Sequence, residues 1–172
     1  MKNLNNIKLM AFDFDDTLCI HTEHKWNALM EEDYISRIIR NEDFSYGGQK
    51  NIQMQELINK CKKLGIELVL LSHAECAKGA SLKIQWVKNN YGVEMENLCV
   101  GQREKKLDYL KGYAQMRHIT YSEAMLIDDH PCTVSEFANA GFTVATPMEV
   151  VNCINSDGMD IAVKQADNKS IQ

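Results

Sequence analysis

Five short, mostly apolar runs, at residues 9–12, 66–71, 98–100, 124–127 and 142–145, each stop abruptly at a polar residue or a glycine: Asp13, Ser72, Gly101, Asp128 and Thr146. Runs of this length and continuity are what strands buried on both faces of a parallel sheet require. Between them the apolar residues take helical spacing. Met54, Leu57, Ile58, Cys61 and Leu64 run up to Gly65, Leu107, Leu110 and Ala114 follow the third run, and Val134, Phe137 and Ala138 precede Gly141. Thr146-Pro147-Met148-Glu149 carries an N-cap hydroxyl, a proline at the first helical position and a capping glutamate. Strand alternating with helix predicts an α/β, Rossmann-like, doubly wound and mostly parallel sheet of about five strands. Such a sheet binds ligands beyond the carboxyl ends of its strands, so the residues directly after the apolar runs carry the functional information.

Residues 19–50 interrupt the alternation. They hold an amphipathic segment (Trp26, Leu29, Met30, Tyr34, Ile38) followed by the loop-like Ser45-Tyr46-Gly47-Gly48, and read as a small helical cap or flap inserted after strand 1. Residues 155–172 are polar with little periodicity and read as a weakly ordered tail, which leaves residues 1–154 as one domain.

Composition narrows the class. With 45% hydrophobic and 25% charged residues among 172, the chain has enough apolar material for a core and is not of the disordered type. A net charge of −5 supplies no general basic field, so an anionic ligand must be captured locally and not by bulk attraction to nucleic acid. The six cysteines make no CxxC pair, which suits reduced thiols in a cytoplasmic protein better than a disulfide scaffold. The apolar stretch at residues 7–12 is too short to cross a membrane. His21 with His24, or His130 with Cys132, have the look of zinc-ligand pairs, but no four-ligand set with standard spacing completes either.

The first strand leads into Asp13-Phe14-Asp15-Asp16-Thr17-Leu18. Alternate residues of an extended chain point the same way, so Asp13 and Asp15 can serve one site while Phe14 faces elsewhere. Carboxylates gathered there repel, and a hard cation with oxygen ligands such as Mg²⁺ relieves the repulsion and neutralises a phosphate as well. Ser72 after the second run, Lys105 and Lys106 after the third, and Asp128-Asp129 after the fourth complete a set of a hydroxyl, a cation and acid groups suited to a phosphoryl centre.

Taken in order, these pieces resemble the four motifs of the haloacid dehalogenase-like superfamily: DxDx[TV] after an apolar strand, a strand-terminal Ser or Thr, a Lys at a helix start, and an acidic pair after a later strand. The resemblance spans residues 8–146. It implies a magnesium-dependent phosphohydrolase that cleaves a phosphate monoester through an aspartyl-phosphate intermediate. Asp13 is then the nucleophile and Asp15 the general acid/base, with Lys106, or alternatively Lys105, as the motif lysine. The Asp13 carboxylate, the Asp15 backbone carbonyl and Asp129 would hold Mg²⁺, with Asp128 second to Asp129. Thr17 would orient Asp15 or its loop, and Ser72 would hold phosphoryl oxygens. His73 stands where family members often have Asn, so substrate contacts at that position are expected to differ.

Dehalogenases in the family do not depend on the second Asp, so Asp15 argues for phosphoryl transfer. Phosphomutases commonly carry a larger cap than residues 19–50 provide. A phosphoacceptor receiver places its acidic pair after the first strand and its acceptor Asp after the third, the reverse of the order here. A catalytically silent binding or signalling domain is the remaining alternative, weakened because every motif residue is present. The implied partner is a phosphorylated substrate, either a small molecule such as a nucleotide or an exposed macromolecular phosphate. No membrane partner is implied, and a homo-oligomer is compatible with the reading.

Overall fold

A computed structural model of the chain describes residues 4–21, 28–40, 45, 47–102 and 105–154. Strand β1 (Leu9–Phe12) is at the centre, paired in parallel with β4 (Glu67–Leu70) on one side and β6 (Ala124–Ile127) on the other. Outside these lie β5 (Glu96–Asn97) and β7 (Thr143–Ala145), giving the order β5-β4-β1-β6-β7 with all neighbours parallel. Every side chain of β1 is buried because both faces of the sheet are covered. Met10 and Phe12 join a core with Leu57 and Ile58 of α2 (Ile52–Lys63), Val87 and Tyr91 of α3 (Ala77–Tyr91) and Val150 of α6 (Pro147–Ile154). Leu9 and Ala11 face the opposite core, with Leu110 and Ala114 of α4 (Lys106–Met116) and Val134 and Phe137 of α5 (Pro131–Asn139). Sinking one large apolar side chain on either face is worth about 1.5–3 kcal/mol, so the continuous apolar runs are the main determinant of the sheet.

The expected helix ends hold for local reasons. Gly65 and Gly141 adopt positive φ, which closes α2 and α5. Thr146 and Glu149 form the reciprocal cap of α6: the Thr146 Oγ1 accepts the Glu149 N–H at 3.2 Å, and the Glu149 carboxylate accepts the Thr146 N–H at 2.7 Å. The third apolar run requires a correction. The paired strand is Glu96–Asn97 and not residues 98–100, although Leu98 N–H still reaches Leu70 O and Val100 N–H reaches Ser72 O, each at 2.8 Å. Val100 is buried and Leu98 partly buried along this trailing edge, while the polar Glu96 and Asn97 can pair because they are at the sheet's edge and exposed. Helix α3 carries no strong apolar stripe, so no spacing in the sequence marks it.

The insertion after β1 contains helix α1 (Ala28–Arg40) and a two-stranded antiparallel hairpin of β2 (Cys19–Ile20) and β3 (Gln49–Lys50). His24, Trp26 and the tail at residues 155–172 lie outside the described residues. Asp16, at φ 53°, turns the chain from the β1 end into this hairpin, a left-handed conformation that Asp tolerates better than most residues. Gly48 is needed for a different reason: a Cβ there would come within 2.3 Å of Cys19 Sγ and 2.8 Å of Ser45 O. That close approach lets the segment holding Ser45 lie against His21. No helix among the described residues is long and apolar enough to cross a membrane.

Candidate active site

Because β4, β1 and β6 are neighbours, the residues just past their carboxyl ends converge. Asp13 follows β1, with its N–H bonded to Ile127 O at 2.9 Å; Ser72 is two residues past β4, and Asp128 directly follows β6. Together with Asp15, Asp16, His73, Lys106, Asp129, His130 and Thr133 they line one cleft of about 220 Å³. Lys106 enters it from the first turn of α4. Its Nζ donates to Asp13 Oδ1 at 2.8 Å and to Asp128 Oδ2 at 3.0 Å, with only 4% of the residue exposed. Burial alone would lower its pKa, but the two carboxylates outweigh burial and hold it above the usual lysine range. Lys105 is exposed at the start of the same helix and does not line the cleft. Of the two candidate lysines, Lys106 is the one the helix turns inward.

Asp13, Asp128 and Asp129 each present a carboxylate oxygen, and these three lie within 4.8 Å of one another. Burial and the charge of Asp13 raise Asp128 against the pull of Lys106. Asp129, on the exposed side, is pushed up to about 6 by desolvation and by the charges of Asp13, Asp128 and Asp16. Five aspartates line the cleft and one lysine does, so the cleft carries a surplus of negative charge. An all-carboxylate donor set under mutual repulsion is the chemistry that a small hard divalent cation relieves, and the three residues fit one.

The raised groups carry a stability prediction. An acid or histidine whose folded pKa lies above its unfolded value binds more protons when folded, so stability falls as pH rises between the two values. Asp128, Asp129 and His21 are all raised, whereas lowered Asp15 acts only in more acidic solution. Metal-free protein is therefore expected to melt at a higher temperature near about pH 5.5 than near about pH 7.5. Asp129→Asn is expected to narrow that gap and to raise the melting temperature at the higher pH. Thermal melts in EDTA at the two values check both statements.

Asp15 was expected beside Asp13, and it lines the same cleft, but its immediate partners were not foreseen. Its Oδ2 accepts from Lys83 Nζ at 2.6 Å and its Oδ1 from His21 Nε2 at 3.0 Å. Burial would raise Asp15, but the Lys83 ammonium and the His21 hydrogen bond overcome it and hold the carboxyl well below the usual range. The His21 ring has acceptors at both ends, Asp15 on Nε2 and Ser45 O at 3.0 Å on Nδ1, so the doubly protonated ring satisfies both. Burial opposes that form, but the Asp15 hydrogen bond and charge prevail and raise its pKa. In the sequence His21 stands out only as half of a zinc-like pair, and Lys83 carries no signal at all, being one lysine in a helix with a weak apolar stripe.

Thr17 and His73 differ in where they lie. Thr17 is fully buried and does not line the cleft; its Oγ1 has no hydrogen-bond partner among the described residues, and its backbone carbonyl accepts from Asn51 Nδ2 at 3.0 Å. It lies beneath the loop, where the turn at Asp16 carries it inward. His73 does line the cleft, held by an interaction of Nε2 with Gly101 O at 3.1 Å and by Glu75 at 3.3 Å from Nδ1. His130 and Thr133, from the start of α5, join it there. His130 donates its backbone N–H to Asp128 Oδ1 at 2.9 Å.

No family model matches the sequence, and no curated protein matches it. Solved structures do resemble the fold. The N-terminal part of a Bacteroides fragilis protein containing a phosphatase domain complexed with Mg has a TM-score of 0.55 at 16% identity, covering 92% of this chain and 41% of that one. The cobalt-bound deoxy-D-mannose-octulosonate 8-phosphate phosphatase of Haemophilus influenzae gives 0.51 at 16% identity, over 83% of this chain and 70% of that one. A HAD family enzyme of Bacteroides thetaiotaomicron gives 0.51 at 13% identity, over 81% and 93%. With the five-stranded parallel order and the strand-end acidic cleft, these likenesses show that the chain has the haloacid dehalogenase-like fold.

Proposed function

We propose that the chain is a magnesium-dependent phosphohydrolase that cleaves phosphate monoesters through a phosphoryl-aspartate at Asp13, with residues 1–154 forming its one catalytic domain. The observation that carries this reading is the Lys106 bridge between Asp13 and Asp128, with Asp129 near enough to share a cation and Ser72 in the same cleft. A nucleophilic carboxylate cannot approach a phosphate dianion unless both charges are offset, and that arrangement offsets them. Asp13, Asp128 and Asp129, with the Asp15 backbone carbonyl, would hold Mg²⁺, which supplies electrostatic stabilisation of the transferring phosphoryl oxygens.

In the first half-reaction an Asp13 oxygen bonds to phosphorus while the ester P–O bond breaks, and the departing oxygen takes a proton from Asp15. In the second, Asp15 as carboxylate takes a proton from water, the hydroxide oxygen bonds to phosphorus, and the Asp13 carboxylate leaves. Asp15 rests in the form suited to the second step, and His21 Nε2 lies within hydrogen-bond distance to supply the proton the first one needs. A cleft of about 220 Å³ takes in a phosphoryl group and leaves much of the rest of the ester outside. That suits a nucleotide or an exposed phosphate on a macromolecule.

The test is a panel of phosphate monoesters assayed for phosphate release with Mg²⁺, followed by borohydride reduction of protein quenched during turnover. Reduction of an acyl phosphate at Asp13 yields homoserine there, detectable by peptide mass. Release of phosphate with no homoserine at residue 13 would defeat the covalent mechanism, and no release from any monoester would defeat the function.

A further inference from the structure

We propose that Lys83 is a positioning residue that aligns Asp15 and Ser72 together for phosphoryl transfer; this rests on the phosphohydrolase reading above. Lys83 reaches the site from α3, is 3% exposed, and lies 5.0 Å over the Phe14 ring. Its Nζ donates to Asp15 Oδ2 at 2.6 Å, to Ser72 Oγ at 3.1 Å and to His73 O at 2.8 Å. An ammonium has three hydrogens and no lone pair, so these contacts use its whole capacity. Lys83 therefore has no donor left for a substrate oxygen, unlike a phosphate-gripping lysine.

Its effect falls on its partners. Ser72 Oγ must accept from Lys83, so the Ser72 hydroxyl proton is directed elsewhere. Its acceptor among the described residues, His73 O, is at a long 3.4 Å, which leaves that proton able to turn to a phosphoryl oxygen in the cleft. Asp15, gripped on Oδ2 by Lys83 and on Oδ1 by His21, is fixed in the plane of its carboxylate. The loops after β1 and β4 are adjacent, and one cation from a third element sets the side chains of both.

Steady-state kinetics on para-nitrophenyl phosphate with Mg²⁺ test this, comparing wild type, Lys83→Met, Asp15→Asn and the double variant. Met keeps the length of the side chain and its packing on Phe14 while removing the donors. Lys83→Met is expected to lower kcat about 30-fold or more, with KM changed less than about threefold. In the Asp15→Asn background the same change is expected to cost no more than about fivefold, because the carboxylate it aligns is gone. Lys83→Gln, which keeps a donor in the same space, is expected to recover part of the lost kcat, and it stands in should Lys83→Met not fold. A folded Lys83→Met within threefold of wild-type kcat, or equal losses in both backgrounds, would overturn the proposal and leave Lys83 a buried brace. Wild type that hydrolyses no monoester is a separate outcome, and it overturns the phosphohydrolase reading itself along with everything built on it.

Discussion

Asp13→Asn should leave a folded protein whose turnover of any phosphate monoester is reduced by about four orders of magnitude or more, the scale of losing a covalent nucleophile. The substitution keeps the shape of the side chain, and the amide oxygen can still accept from Lys106, which also retains Asp128 at 3.0 Å. It removes one charge from a cluster whose members already raise Asp128 and Asp129. The melting temperature of metal-free Asp13→Asn should accordingly equal or exceed that of wild type, so that lost activity cannot be ascribed to lost structure. Phosphate release and thermal melts on the same preparation decide it. More than a few per cent of wild-type activity would mean that Asp13 is not the nucleophile.

Chelation should be as severe. EDTA is expected to abolish activity, Mg²⁺ to restore it, and Ca²⁺ to restore it poorly, since Ca²⁺ takes more oxygen ligands at longer distances and can draw both Asp13 oxygens onto itself. The structure also ranks the two aspartates of the later strand. Asp128 already uses Oδ2 for Lys106 and Oδ1 for the His130 N–H, whereas Asp129 is exposed and raised to about 6 by like charges. Asp129→Asn is therefore expected to raise the Mg²⁺ concentration for half-maximal rate about tenfold or more, the usual cost of weakening a metal site. Asp128→Asn is expected to raise it less, because both Asp128 oxygens are already engaged by Lys106 and the His130 N–H. Titrating Mg²⁺ against initial rate in both variants checks the ranking, and full activity in EDTA would remove the metal from the mechanism.

The residues of the cleft were legible in different degrees, for reasons that lie in chain separation. Asp13, Ser72, Lys106, Asp128 and Asp129 follow or nearly follow strand ends, so a one-dimensional pattern of apolar runs located them. His21 and Lys83 reach Asp15 from a hairpin loop and from the middle of a helix, positions that no periodicity marks. Thr17 shows the converse. It belongs to the strand-end motif by spacing, yet the positive φ at Asp16 reverses the chain and sends its side chain into the core.

What the sequence by itself determined is the alternation of buried strands and amphipathic helices, the caps at Gly65, Gly141 and Thr146, and the strand-end acids, because each depends on contacts a few residues long or on a uniform demand for burial. The tertiary structure alone decided that Lys106 and not Lys105 faces the carboxylates, that the edge strand sits at Glu96–Asn97, and that Asp15 is clamped between Lys83 and His21. Those outcomes depend on which helix turn meets which loop. Lys83 and Asp15 are 68 residues apart in the chain and 2.6 Å apart in the fold, a proximity fixed by the packing of α3 on the sheet and by nothing local to either residue.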